Sequence, residues 1–324
     1  MNKAMTSYSQ ALGFYQSGAC QQATRLCQQQ LDDPDCLHLL GLMAADSRHF
    51  DQSIRYLDTA LLIRPNHAAA IADRTRILAE ANRLRLMLGL TLHEQSAWVA
   101  AASVYQEILE CDPDYYHALQ LMGALAVQLG LYRNALQHLE RAVALRPDIP
   151  DAYANLGIAL QELGCPEEAL QNHDRALALC EGNPRIHNNR GNTLRELGRM
   201  EDALASYDRA LVLLPDYADA LNNRGSVLSA LNQPEAALAS YDQALIINPV
   251  SAQTWYNRAN TLRDMHRLEQ ALASYDQALV YNPRSMMAHN NRGLVLQDMG
   301  RLTEALASYE RALELDMAAS ENPA

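Results

Sequence analysis

The chain has 324 residues, 49% of them hydrophobic, and a formal charge of −12. The apolar content excludes a disordered chain, and the negative charge argues against nucleic acid or an anionic membrane as principal partner. Alanine and leucine dominate and Lys3 is the single lysine, a helical composition with arginine carrying the rest of the positive charge.

The N-terminal stretch MNKAMTSYSQALGFYQ has no apolar run of signal-peptide length. SGAC, ending at Cys20, lacks the hydrophobic segment of a lipoprotein leader. No segment approaches ~18 consecutive apolar residues, so no membrane span is expected. Cysteines at 20, 27, 36, 111, 165 and 180 show no CxxC or Cys/His ligand spacing. Free thiols in a reducing cytoplasm are expected, with no metal and no cofactor.

A shortened helical unit is predicted over about 4–33, followed by a unit at 34–67 marked by Leu40, Gly41 and Pro65. Residues 68–81, AAAIADRTRILAEA, interrupt the series. Their length is close to four helical turns, which extends a helix while keeping its apolar face in register. One long helix from about Asn66 to Leu88, stopping near Gly89, is therefore expected. Units 82–115 and 116–149 then introduce a 34-residue period, and 150–183, 184–217, 218–251, 252–285 and 286–319 follow it closely. Pro215, Pro249 and Pro283 fall in register, and ALASYD recurs at Ala203, Ala237 and Ala271, with ALASYE at Ala305. Each unit reads as two helices. In 218–251, Leu221, Gly225 and Leu228 mark the first helix and Asn232–Pro234 breaks it. Ala237, Tyr241 and Ala244 mark the second, which Pro249 ends. The chain thus divides into a divergent 1–115 with the long inserted helix, a near-consensus 116–319 and a tail at 320–324.

Unit 252–285 carries Trp255, Arg258, Ala259, Leu262, Ala271, Tyr275, Ala278 and Pro283 at the places of an eight-position signature. Signature and period resemble the tetratricopeptide repeat family over nearly the whole chain. The resemblance implies an all-α, right-handed superhelical solenoid of about nine helix-turn-helix units, with the first helices lining a concave binding surface.

Counting each unit from one, core positions 4, 7, 8 and 11 of the first helix share one side, and positions 5, 6 and 9 share the other. Asparagine fills the second set: Asn188, Asn189 and Asn192; Asn222 and Asn223; Asn257 and Asn260; Asn290 and Asn291. Position 6 is unbroken over five units, as Asn155, Asn189, Asn223, Asn257 and Asn291. Each asparagine costs the helix roughly 0.5 kcal/mol relative to alanine. An amide offers one acceptor and two donors, which matches an extended peptide backbone. The row is similar to the asparagine ladder by which the superhelical arm of the O-linked N-acetylglucosamine protein transferases grips peptides. Two other readings stay open: recent duplication, and amides bonding between adjacent helices. The clamp by which some members bind chaperone C-termini needs lysine at position 5 and basic residues at 2 and 6. Only Arg185 fits it.

Arg190, Arg224, Arg258 and Arg292 at position 7 have successive acidic counterparts at position 25 of the preceding unit: Asp174, Asp208, Asp242 and Asp276. These pairs read as inter-repeat struts, although Glu310 at the same position has no successor and Glu140 faces Leu156 in the next unit. No nucleophile triad, phosphate loop or metal cluster emerges, and the histidines follow no paired layout, so no enzyme is expected. Tyr207, Tyr241, Tyr275 and Tyr309 are packing residues. The sequence therefore predicts a non-catalytic cytoplasmic scaffold that binds an extended peptide or partner protein through the asparagines. The alternative is the substrate-recognition arm of a protein O-glycosyltransferase whose catalytic domain lies outside this chain. The last helix, expected over about Leu302 to Leu315, presents Ala305, Leu306, Tyr309, Ala312 and Leu313, and the tail is too short to cover them. Self-association or contact with another domain through this end is expected.

Overall fold

In the computed structural model residues 7–321 are described, with side chains through Ala318. They form an all-α repeat solenoid with no strand among the described residues. The chain splits within its seventh helix into two compact units, Met1–Leu125 and Ala126–Ala324.

The first unit contains α1 (Ser7–Gln16), α2 (Cys20–Gln28), α3 (Pro34–Asp46), α4 (Phe50–Ile63), α5 (Ala68–Glu94), α6 (Trp98–Cys111) and most of α7 (Tyr116–Gln128). The inserted residues 68–81 form the first half of α5. Ala70, Ile77 and Ala81 from this half bury against Ile54 and Leu57 of α4. His38 of α3 reaches Asp73 at 2.9 Å, which ties the insertion to the preceding repeat. The helix does not stop at Gly89 as the sequence suggested, but runs on to Glu94. Gly89 lies directly under the ring of Tyr105 on α6, where any Cβ would collide. Its glycine serves close helix approach, not termination.

The second unit contains the end of α7, then α8 (Tyr132–Leu145), α9 (Pro150–Glu162), α10 (Pro166–Leu179), α11 (Pro184–Glu196), α12 (Met200–Leu213), α13 (Ala218–Ala230), α14 (Pro234–Ile247), α15 (Ala252–Asp264), α16 (Leu268–Tyr281), α17 (Met286–Asp298) and α18 (Leu302–Glu321). Local chemistry sets these boundaries. Asn183, Ser251 and Ser285 cap α11, α15 and α17 with side-chain oxygens on backbone N–H groups. Pro166 and Pro234 open α10 and α14. Between paired helices one residue turns left-handed: Gly164, Gly198 and Gly300 do so without strain, while Asn232 and His266 do so with a Cβ.

The core is a column of tyrosines. Tyr207, Tyr241 and Tyr275 are fully buried, each against the small residue at position 8 of its own first helix. A Cβ on Gly225 would stand 2.6 Å from the Tyr241 ring, whereas in the next repeat Ala259 is accommodated beside Tyr275. The last helix is longer than the sequence indicated, reaching Glu321. One of its faces is open: Leu306 is 57% exposed, where the equivalent Leu238 and Leu272 are 7% and 8% exposed. Leu302, Leu313 and Met317 continue this stripe at helical spacing.

Candidate functional site: an amide-lined face on the second unit

The first helices α9, α11, α13, α15 and α17 carry the asparagines. The structure shows how these amides are used. Asn223 Nδ2 donates to Asn188 Oδ1 (3.1 Å) and Asn192 Oδ1 (3.0 Å), linking α13 to α11. Asn291 Nδ2 donates to Tyr256 Oη (3.0 Å) and Asn260 Oδ1 (3.1 Å), linking α17 to α15. Asn257 Nδ2 donates to Asn222 Oδ1 at 3.0 Å, linking α15 to α13, while its own Oδ1 accepts from Gln253. Three members of the row thus bond between adjacent helices, the reading the sequence left open beside peptide binding.

Asn155 and Asn189 are half-buried and make no side-chain hydrogen bond among the described residues. Asn222 and Asn290 give longer bonds, 3.4 and 3.5 Å, to the asparagines beside them. Asn188 is only 5% exposed, so its position-5 amide serves chiefly as an internal acceptor. Asn290 is exposed.

Two kinds of partner were not foreseen. The Tyr207 hydroxyl donates to Asn192 Oδ1 (2.8 Å), and that of Tyr275 to Asn260 Oδ1 (2.5 Å). Core tyrosines therefore reach through to the asparagine face. Burial pushes both phenols up, Tyr207 to about 12, so they remain donors. The second partner is serine. Each strut arginine donates Nε to the aspartate of the preceding repeat and Nη1 to a serine of its own: Arg224 to Asp208 (2.6 Å) and Ser240 (2.7 Å), Arg258 to Asp242 and Ser274 (both 2.7 Å). Arg190 and Arg292 repeat the arrangement with Asp174 and Ser206, and with Asp276 and Ser308. The recurring Ser-Tyr-Asp of the second helices was the signal in the sequence. In these ion pairs the aspartates are half exposed and the arginines largely covered.

Positions 9 and 10 of the first helices vary from repeat to repeat. Position 9 reads Asn192, Ser226, Asn260, Leu294 and position 10 reads Thr193, Val227, Thr261, Val295. Position 10, which is buried, thus alternates every 68 residues, while position 9 does not, because Leu294 stands where Ser226 did.

Among the described residues no group of three or more His, Cys, Asp or Glu could hold a metal. No helix there is long and apolar enough to cross a membrane.

Models described as tetratricopeptide repeat match residues 38–116 and 256–320, 218–249, and 151–181, and one described as TPR repeat matches 123–164 and 191–232. No curated protein matches the chain. Among solved structures, PilW, a type IV pilus biogenesis factor, is 17% identical with a TM-score of 0.58, over 63% of this chain and 94% of that one. PilF of Pseudomonas aeruginosa is 22% identical with a TM-score of 0.55, over 64% and 97%. The Cut9–Hcn1 hetero-tetramer of the APC/C is 14% identical with a TM-score of 0.55, over 95% and 80%. These likenesses concern the fold. With the period, the tyrosine–glycine packing and the matches over most of its length, the chain belongs to the tetratricopeptide repeat family.

Proposed function

We propose that the protein is a non-catalytic interaction scaffold whose second unit binds an extended polypeptide along the amide face of α9, α11, α13, α15 and α17. The observation that carries this reading is the row itself: asparagine at position 6 of five successive first helices, a helix-unfavourable residue held in line. Bonds between neighbouring amides fix the row before a ligand arrives, which lowers the ordering cost of binding. Asn155 and Asn189 are free to meet peptide C=O and N–H groups. The remaining carbonyl oxygens of Asn223 and Asn291 meet only the long contacts from Asn222 and Asn290, and accept further donors. The family match is to the repeat alone, so the glycosyltransferase-arm reading is not carried further. A reducing, cytoplasmic setting suits six free cysteines, of which Cys27 and Cys36 are fully buried.

The test uses an immobilised library of unstructured peptides. Peptides retained by the protein should bind the Asn155→Ala, Asn189→Ala double variant more weakly by ~0.5–1.5 kcal/mol per lost hydrogen bond, with an unchanged melting temperature. Asn223→Ala, which removes two internal bonds, should lower both binding and stability. Retention of no peptide, or full binding by the double variant, would overturn the reading.

A further inference from the structure

The three junctions between α11, α13, α15 and α17 are not alike. At α11/α13 the carbonyl oxygen of Asn192 lies between the Tyr207 hydroxyl and the Asn223 amide. At α15/α17 the carbonyl oxygen of Asn260 lies between the Tyr275 hydroxyl and the Asn291 amide. At α13/α15 the corresponding residue is Ser226, too short to bring a carboxamide there. Tyr241 meets Thr261 instead, and Asn257 is left with Asn222 as its acceptor on α13. A cavity of about 320 Å³ opens at this place, lined by Ser226, Ser229, Tyr241, Asn257, Asn260 and Thr261, with Asp264 at its side.

The two intact junctions show what the cavity lacks. We infer that the Ser226 cavity is a side-chain pocket for a carboxamide, the glutamine or asparagine side chain of a polypeptide lying on the amide face. The identity of the polypeptide rests on the function proposed above; the chemistry of the pocket does not. A carbonyl oxygen entering the pocket takes the place that Asn192 Oδ1 and Asn260 Oδ1 hold elsewhere, accepting from Tyr241 and Asn257. The NH₂ group then faces acceptors: the Ser226 and Ser229 hydroxyls and the Asp264 carboxylate. A carboxylate ligand would satisfy only the donors and bring a second negative charge beside Asp264, whose single counter-charge among the described residues is Arg263 at 3.1 Å. An ammonium group would satisfy only the acceptors and leave the phenol and amide unused. A carboxamide matches both sides.

The full-length protein is titrated with blocked glutamine (N-acetyl-glutamine methylamide) and followed by NMR of the side-chain amides, with blocked leucine as control. The expected result is a saturable shift of the Asn257 and Asn260 amide resonances with the glutamine compound alone. Ser226→Asn, which supplies the missing carboxamide from the protein, should abolish the shift and leave the melting temperature equal or higher. Tyr241→Phe should weaken the response severalfold. No saturable shift, an equal shift with blocked leucine, or an undiminished shift in Ser226→Asn would overturn the pocket. The peptide library separates the two proposals. Peptides retained without any glutamine or asparagine preference, alongside a silent titration, leave the amide face standing and remove the pocket. A positive titration with no peptide retained does the reverse.

Discussion

His173 stands at the position where three later repeats bury tyrosine, and neither ring nitrogen has a partner among the described residues. Burial, reinforced by Arg190 and opposed by Asp174, lowers its pKa from near 6.5 to about 4. Because the folded value lies below the unfolded one, folding favours the neutral ring. That contribution is intact above pH 6.5 and is lost as pH falls from there through about 4, a penalty on the order of 3 kcal/mol once the ring is charged in both states. His173→Phe should therefore flatten the decline of stability between pH 6.5 and 4, measured by denaturant unfolding at stepped pH. An unchanged decline would assign the effect to other groups. At this scale the sequence was only half legible. Which asparagines share a helix face follows from 100° per residue, so the row could be read directly. Whether Asn223 reaches Asn192 as well as Asn188, or Asn257 finds only Asn222, depends on the length of a side chain one repeat away, which periodicity does not encode.

Between helices, the arginine struts carry a sharper expectation. Arg258 bonds Asp242 across the repeat boundary and Ser274 within its own repeat, and Ser274 in turn donates to the Gln270 carbonyl. A double-mutant cycle of Asp242→Ala with Arg258→Ala should show coupling of about 0.5–1 kcal/mol, modest because the aspartate is half exposed. Asp242 with Arg224 should show none, since Arg224 is bound to Asp208. The reverse result would place the strut within the repeat. The pairing across the boundary was legible because each arginine follows an acid in the preceding repeat, with Glu310 left over at the end. The end of α5 was not. A glycine after a long apolar stretch has the look of a helix stop, and only the Tyr105 ring packed on Gly89 reveals its other use. The length of α18 was missed for a related reason: its last turns are polar and alanine-rich, and no proline or glycine marks an end before Glu321.

For the molecule as a whole, the open stripe of Leu302, Leu306, Leu313 and Met317 has a counterpart inside the stack, where the following first helix covers Leu238 and Leu272. We expect the stripe to associate with a second copy of the chain. Sedimentation at rising concentration should show reversible association that Leu306→Glu with Leu313→Glu removes, and a strict monomer at high concentration would exclude it. The likeness of the seams between repeats has a different consequence, for how the molecule could be shortened. Excising 218–285 brings α12 against α17, so that Arg292 meets Asp208 and Asn291 meets Asn188 and Asn192, as Arg224 and Asn223 do in the intact chain. The new seam would be a copy of one already present, and the Ser226 cavity would vanish with the excised block. Removing 252–285 alone would set Asn291 against Asn222, as Asn257 stands in the intact chain, but would put Leu294 and Val295 where Asn260 and Thr261 line the cavity. In genetic terms a single repeat is already a heritable module of this half of the protein, and which repeat is gained or lost decides whether the amide face keeps its Ser226 cavity.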